Sequence, residues 1–251
     1  MSKHRIYIFL TILGMLFFAK DSAISLTNNV KENPKKNITT GVQQKPIVFK
    51  PRYLDKHNPK PRDINNFGGT RGFTESPLAI VPLEKSQILL STLAAYPTFW
   101  IYLPKTKAKK LILTIKEKNS SVCYESEFSI SGKSGIIGLK MSDNMTPLRI
   151  GSSYIWSVSI VNGNNPGPND IWIESWIYRA SLKNLPSQSS YLEQARWYSE
   201  QGIWYDALNS LTRARIADLN SNEIADLWDL FIKSVDLEQI LNQPIKFEIL
   251  N

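Results

Sequence analysis

Apolar residues change their spacing near residue 186, and that change sets the fold class. From residue 78 to about 184 they come in short runs or at every second position. Leu78 to Leu83 is a brief run containing Pro82, and Thr98 to Leu103 is aromatic and β-branched between Pro97 and Pro104. Leu111 to Ile115 and Gly135 to Leu139 are further runs. Val122, Tyr124, Phe128 and Ile130 alternate with Cys123, Glu125 and Glu127, and Tyr154, Trp156, Val158 and Ile160 alternate with serines. Another strand resumes at Ile171 and continues to Tyr178, after the turn-forming residues 162–169. Six to eight short strands at such spacing predict an antiparallel sandwich, not a parallel α/β sheet.

Beyond residue 189 the period becomes helical. Ser189 or Ser190 caps a helix from Tyr191 that Gly202 ends. A second helix starts near Ile203, with Trp204, Ala207, Leu208, Leu211 and Ala214 on one face. A third, capped by Ser221, runs from Asn222 through Leu227, Trp228, Leu230, Phe231 and Val235. The first two resemble a tetratricopeptide repeat at Tyr191, Ala195, Tyr198, Gly202, Trp204, Ala207, Leu211 and Ala214. Leu219 stands where that repeat has proline, and a single repeat cannot bury both faces. The hairpin is therefore expected to dock on the sandwich.

The segments before residue 76 differ in kind. Lys3, His4 and Arg5 precede an apolar run from Ile6 to Ala19, 14 residues long and shorter than the ~20 that span a bilayer. Ala23-x-Ser25 fits a cleavage site, so residues 1–25 read as a signal peptide, with an uncleaved anchor as the alternative. Residues 26–75, with Pro34, Pro46, Pro51, Pro59 and Pro61, read as a disordered basic linker. Its Gly68, Gly69 and Gly72 form a joint rather than an anion-binding nest.

The formal charge of +8 sits in these segments. Residues 27–75 carry ten Lys or Arg against four acids, whereas residues 76–251 carry 17 of each sign. The body has no basic footprint for nucleic acid. A basic tail allows peripheral contact with an anionic membrane, although a solvated linker is the simpler reading.

His4 and His57 are the only histidines, and both precede the expected body. That body holds no Ser-His-Asp triad, His-ligated zinc or His proton shuttle. Cys123 is the only cysteine, so no internal disulfide forms; it reads as a small core residue, with an intermolecular bridge as the alternative. Carboxylates remain. Glu125 and Glu127 share a strand face about 7 Å apart, within reach of glycosidase geometry, but a solvated face explains them better. Asp170 and Glu174, near Trp172 and Trp176, form a weaker pair, and Asp206 is expected on the surface near a helix start. Gly132-Lys133-Ser134 lacks the first glycine of a phosphate loop and reads as a turn. Trp100, Tyr102, Trp156, Trp172, Trp176 and Tyr178 suit a sandwich core; exposed together, Trp172 and Trp176 would suit a carbohydrate or a protein partner.

Four stretches in combination resemble a known family: Leu78 to Pro82, Pro97 to Pro104, Tyr154-x-Trp156, and Gly202 to Leu208. Gly68-Gly69-x-Arg71-Gly72 before them and Ile177-x-Arg179 agree. The chain is similar over roughly residues 66–235 to the cyanobacterial family called domain of unknown function 928. The resemblance implies export and no established activity. It also implies that relatives carry a Cys just after the Arg-Gly step and another near Asn162. Phe73-Thr74 and Asn162 stand there instead, so a bridge formed in relatives is absent from this chain.

The reading is an α+β chain: an antiparallel immunoglobulin-like β-sandwich over 76–185, then a tetratricopeptide-like helical hairpin with a capping helix over 186–240. It is expected to be non-catalytic, to need no cofactor, and to work in the periplasm or outside the cell as an interaction or scaffold module for an unknown protein partner. A carbohydrate- or cell-wall-binding module using Trp172 and Trp176 is the alternative.

Overall fold

The computed structural model describes residues 45–54, 75–82, 87–117, 123–168, 170–183 and 190–246. The proposed signal peptide, most of the linker and its glycines lie outside the described residues. The strands are β1 (Leu78–Ala79), β2 (Ser91–Thr92), β3 (Thr98–Leu103), β4 (Lys110–Glu117), β5 (Cys123–Ser129), β6 (Gly135–Lys140), β7 (Ser153–Val161), β8 (Ile171–Arg179) and β9 (Ile245–Lys246). The helices are α1 (Tyr191–Glu200), α2 (Trp204–Ala217) and α3 (Asn222–Lys233), followed by a 3-10 turn at Glu238–Ile240. The fold is α+β.

Two sheets form, ordered β1-β3-β6-β9 and β2-β8-β7-β4-β5. Both are mixed, which corrects the purely antiparallel expectation: β2 lies parallel to β8, and β9 parallel to β6. Each parallel partner is two residues long and arrives from a distant part of the chain. No local alternation marks such a strand, because its pairing is set by the long strand beside it.

The strand alternation places the core. In β7, Tyr154, Trp156, Val158 and Ile160 are buried while Ile155, Ser157 and Ser159 are half-buried. Their β4 partners Leu111, Leu113 and Ile115 are buried too. Phe99 of β3 meets Trp156 with ring centroids 4.9 Å apart, so the two sheets share one core. All six β3 residues are buried because both its faces are covered. On the face away from Phe99, Trp100 lies across its register partner Gly138, where an added Cβ would come within 2.8 Å of the indole.

α1 begins with a reciprocal cap. Glu193 N–H donates to Ser190 Oγ at 3.3 Å, and Ser190 N–H donates to Glu193 Oε2 at 2.8 Å. Hydrogen bonds from the Ser190 N–H and hydroxyl hold the Glu193 carboxyl below its usual range. α3 is capped by Ser221, whose hydroxyl accepts from Ile224 N–H at 3.2 Å. α1 and α2 form a hairpin turning at Gly202, whose φ of +65° is left-handed.

Residues 45–54 correct the linker expectation. Ile47 and Phe49 are 1 % and 4 % exposed and belong to the core. Lys50 N–H donates to Ser199 O at 3.1 Å, and a Cβ on Gly202 would lie 2.7 Å from Lys50 O. Pro46 and Pro51 prevent a helix, yet an extended chain between them still buries two large side chains. The fold also continues past residue 240, since β9 returns to the four-stranded sheet. Gly132, at φ +73° and packed on Thr106 O where a Cβ would clash, lies in the connection between β5 and β6 where Gly132-Lys133-Ser134 is expected to turn. Cys123 opens β5 opposite Lys116; its side chain lies outside the described residues.

Candidate functional site

Three consecutive residues open α2, and successive side chains on a helix point about 100° apart. Trp204, Tyr205 and Asp206 therefore cannot share one environment, and each meets a different part of the β layer. Trp204 Nε1 donates to Ile80 O at 3.0 Å. Its indole stacks on Phe231 at 5.1 Å and 8°, and takes Phe49 edge-on at 5.0 Å. Tyr205 reaches between the sheets: its hydroxyl accepts from Trp156 Nε1 at 2.8 Å and donates to Trp176 O at 2.6 Å. Burial pushes that phenol well above its usual range.

Asp206 points to β2 and the loop after it. Leu93 N–H donates to its Oδ2 at 3.0 Å. Burial pushes the carboxyl up to about 6, while hydrogen bonds from the Thr92 hydroxyl and from N–H groups of Leu93, Asp206 and Ala94 pull it down. The residue as a whole is half-buried, but the carboxyl itself lies among protein atoms. This corrects the surface placement expected for Asp206. Desolvation dominates because β2 closes over the helix start. Ser91 and Thr92 are fully buried polar residues, and Ser91 Oγ also donates to Gly202 O at 3.3 Å. α2 has no side-chain N-cap, and the seam instead ties the helix start to β2 through Ser91 and Leu93.

Beside the seam lies a pocket of about 190 Å³. Its walls run from Ala94 through Tyr96 to Thr98, with Lys140 at the end of β6 and Asp206, Asn209 and Arg213 along α2. Asn209 Oδ1 is buried with no hydrogen-bond partner among the described residues. Lys140 and Arg213 are exposed at the rim, and the Arg213 guanidinium stands 5.4 Å from the centre of the Tyr191 ring. Tyr198 of α1 is raised by burial and then by the Asp206 charge. The pocket thus has two cations at its rim, with the Asp206 carboxyl and Asn209 Oδ1 buried in its wall.

Sequence reasoning missed Thr92, Lys140, Asn209 and Arg213. Asp206, Asn209 and Arg213 do carry a signal, since i, i+3 and i+7 place three polar residues on one stripe of α2. Thr92 and Lys140 carry none, because only tertiary pairing brings them to that stripe.

The predicted candidates lie elsewhere. Trp172 and Trp176 share the outer face of β8; Trp172 is half-buried and Trp176 only 5 % exposed, so the described residues do not present the pair together. Trp100, Trp156, Trp204 and Trp228 are almost wholly buried. Glu125 and Glu127 are exposed, and Glu127 meets Lys110 Nζ at 3.0 Å. Asp170 accepts from the N–H groups of Asn162 at 3.2 Å and Gly167 at 2.8 Å, closing the β7–β8 turn. Glu174 lies opposite Ser157, its carboxyl raised by burial. Among the described residues, no three His, Cys, Asp or Glu side chains stand close enough to hold a metal ion, and no helix is long and apolar enough to cross a membrane.

The sequence model of a family described as Domain of Unknown Function (DUF928) matches residues 66–245. No curated protein matches the chain. Among solved structures, the chain is similar to the fn3 domain of human collagen alpha-1(XX) chain, at 9 % identity and a TM-score of 0.24, over 43 % of this chain and 97 % of that one.

Proposed function

The chain belongs to the DUF928 family, and from that premise we propose that it is an exported, non-catalytic module that acts by binding a protein partner in the periplasm or outside the cell. One observation carries this reading. Among the described residues, the one acid that lines the pocket, Asp206, is committed to the Thr92 hydroxyl and the Leu93 N–H. A general acid or base needs its proton-transfer atom free to face substrate. Asp206 instead holds α2 against β2, and the groups left at the opening, Lys140 and Arg213, are suited to contact. Export rests on the basic start and the apolar run from Ile6 to Ala19. The α1–α2 hairpin, read as one tetratricopeptide-like unit, forms one wall of the contact surface.

The test is fractionation of cells expressing the full chain, followed by cross-linking before lysis. The expected result is a chain in the extracytoplasmic fraction with one recurrent cross-linked protein. Retention in the cytoplasm, or only monomer after cross-linking, would overturn the proposal.

A further inference from the structure

Residues 45–50 lie in a groove made by the ends of α1, α2 and α3. Their exposure alternates: Ile47 and Phe49 are buried, while Pro46, Val48 and Lys50 face solvent. Phe49 meets Trp204 edge-on at 5.0 Å. Helix ends hold the main chain beside that ring. Phe49 N–H donates to Ser234 Oγ, at the α3 C-cap, at 3.4 Å, and Lys50 N–H donates to Ser199 O at 3.1 Å. Arg196 donates to the carbonyls of Lys45 and Pro46, and Lys45 Nζ meets Glu200 at 3.0 Å. Gly202 leaves the segment its path, since a Cβ there would lie 2.7 Å from both Lys50 O and Arg52 Cγ. The groove thus selects an extended backbone with two large apolar side chains two residues apart and a cation before them.

Occupant and groove are separable. The family model matches residues 66–245, which include every groove residue named, while residues 45–54 precede it. The domain brings the groove, and this chain fills it with a segment from outside that domain. Among the described residues, 45–50 join neither sheet. The exposed Lys45–Glu200 pair adds little. Two buried side chains and single hydrogen bonds therefore hold the segment, and such a unit opens locally without unfolding the sheets.

We propose that this groove is where the chain binds its protein partner: an extended segment of the partner, with large apolar side chains at alternate positions behind a Lys or Arg, displaces residues 45–50, which fill the groove in cis. A tethered segment meets its groove at an effective concentration of about millimolar. The partner's segment therefore binds better than the chain's own, or comes from a protein held beside this one. The proposal rests on the reading of the chain as a protein-binding module and names the segment that module recognises.

The test is fluorescence anisotropy of a labelled peptide with the sequence of residues 45–54, Lys-Pro-Ile-Val-Phe-Lys-Pro-Arg-Tyr-Leu. It is titrated with the full chain and with the full chain carrying Ile47→Ser and Phe49→Ser. The variant is expected to bind the peptide tighter than the parent by about tenfold or more, because no tethered segment competes, and the peptide is expected to raise the variant's melting temperature. Phe49→Ala in the peptide is expected to weaken binding by about tenfold or more. Val48→Thr is expected to change it by less than about twofold, because that side chain faces water. If the variant does not fold, the parent decides: millimolar peptide with para-fluorophenylalanine in place of Phe49 is expected to show a bound fluorine NMR signal that the Val48→Thr peptide competes away and the Phe49→Ala peptide does not. No binding to either chain, equal binding to parent and variant, or equal losses from Phe49→Ala and Val48→Thr would each overturn the proposal. Cross-linking in cells is expected to recover more of the partner with the variant than with the parent, and unchanged recovery with a folded variant would overturn the groove as the partner's site. A cross-linked partner beside a peptide that does not bind overturns the groove assignment alone; loss of the extracytoplasmic partner overturns the underlying reading.

Discussion

The first turn of α2 and the outer face of β5 both carry acids beside a β-strand, and they behave in opposite ways. Glu125 and Glu127 alternate with inward residues on a strand that, among the described residues, pairs with β4 alone. Water solvates their carboxylates, and Glu127 keeps Lys110 at 3.0 Å. Asp206 is closed in by β2, and its carboxyl is pushed up to about 6 by desolvation. One acid would be easy to remove without consequence, while the other is tied to the placement of a helix. The difference comes from what lies above each acid, which the local sequence of neither decides. A carboxylate on a strand is a surface charge until another element covers it.

The largest break in this comparison comes from the seam's hydrophobic anchor. Trp204→Ala removes the Phe231 stack, the Phe49 edge contact and the bond to Ile80 O. It is expected to cost about 3–5 kcal/mol in urea unfolding, and a loss below 1 kcal/mol would show that α2 is held elsewhere.

Next is the pH dependence of Asp206. Its carboxyl is raised in the folded state, so the native chain holds the proton more tightly than the unfolded one. Its contribution is fully present below the unfolded value of 3.8 and falls as pH rises to about 6. The fall is expected to reach about 3 kcal/mol. Comparing urea midpoints of the parent and Asp206→Asn from pH 4 to 7.5 isolates it, because Glu117, Glu193 and Glu200 are shifted the other way and cancel in the difference. Parallel curves would mean that the acid is solvated after all.

Tyr205→Phe sharpens the comparison further. It strands Trp156 Nε1 and Trp176 O in a buried site, at an expected cost of about 1–3 kcal/mol. A neutral outcome in thermal melting would show that those groups find other partners. On the β5 face, Glu127→Gln breaks one exposed ion pair and is expected to change stability by less than about 0.5 kcal/mol. A larger loss would make that face more than a solvated surface.

Much of the β layer was legible because alternation survives wherever one sheet face meets the core. β3, β7 and β8 run within a residue of their apolar patterns. The caps Ser190 and Ser221 were legible for a related reason, since a hydroxyl at a helix start acts within three residues. Ile47 and Phe49 were not. They are two apolar residues among prolines and lysines, without period, and only the α1–α2 turn gives them a surface to cover. The site was partly legible. Gly202 to Leu208 stands out as a motif, but the sequence puts Asp206 on the surface because its burial depends on β2, a two-residue polar strand over a hundred residues earlier.

By itself the sequence determined which segments alternate and where the helices start and turn. These follow from side-chain spacing and residue type, which act over a few neighbours. Tertiary structure alone decided that Trp204, Tyr205 and Asp206 each find a separate partner in the β layer, and that Lys140 and Arg213 come to stand at one opening. Those outcomes depend on which distant surfaces exclude water together, and desolvation is a property of the assembled neighbours rather than of any one residue.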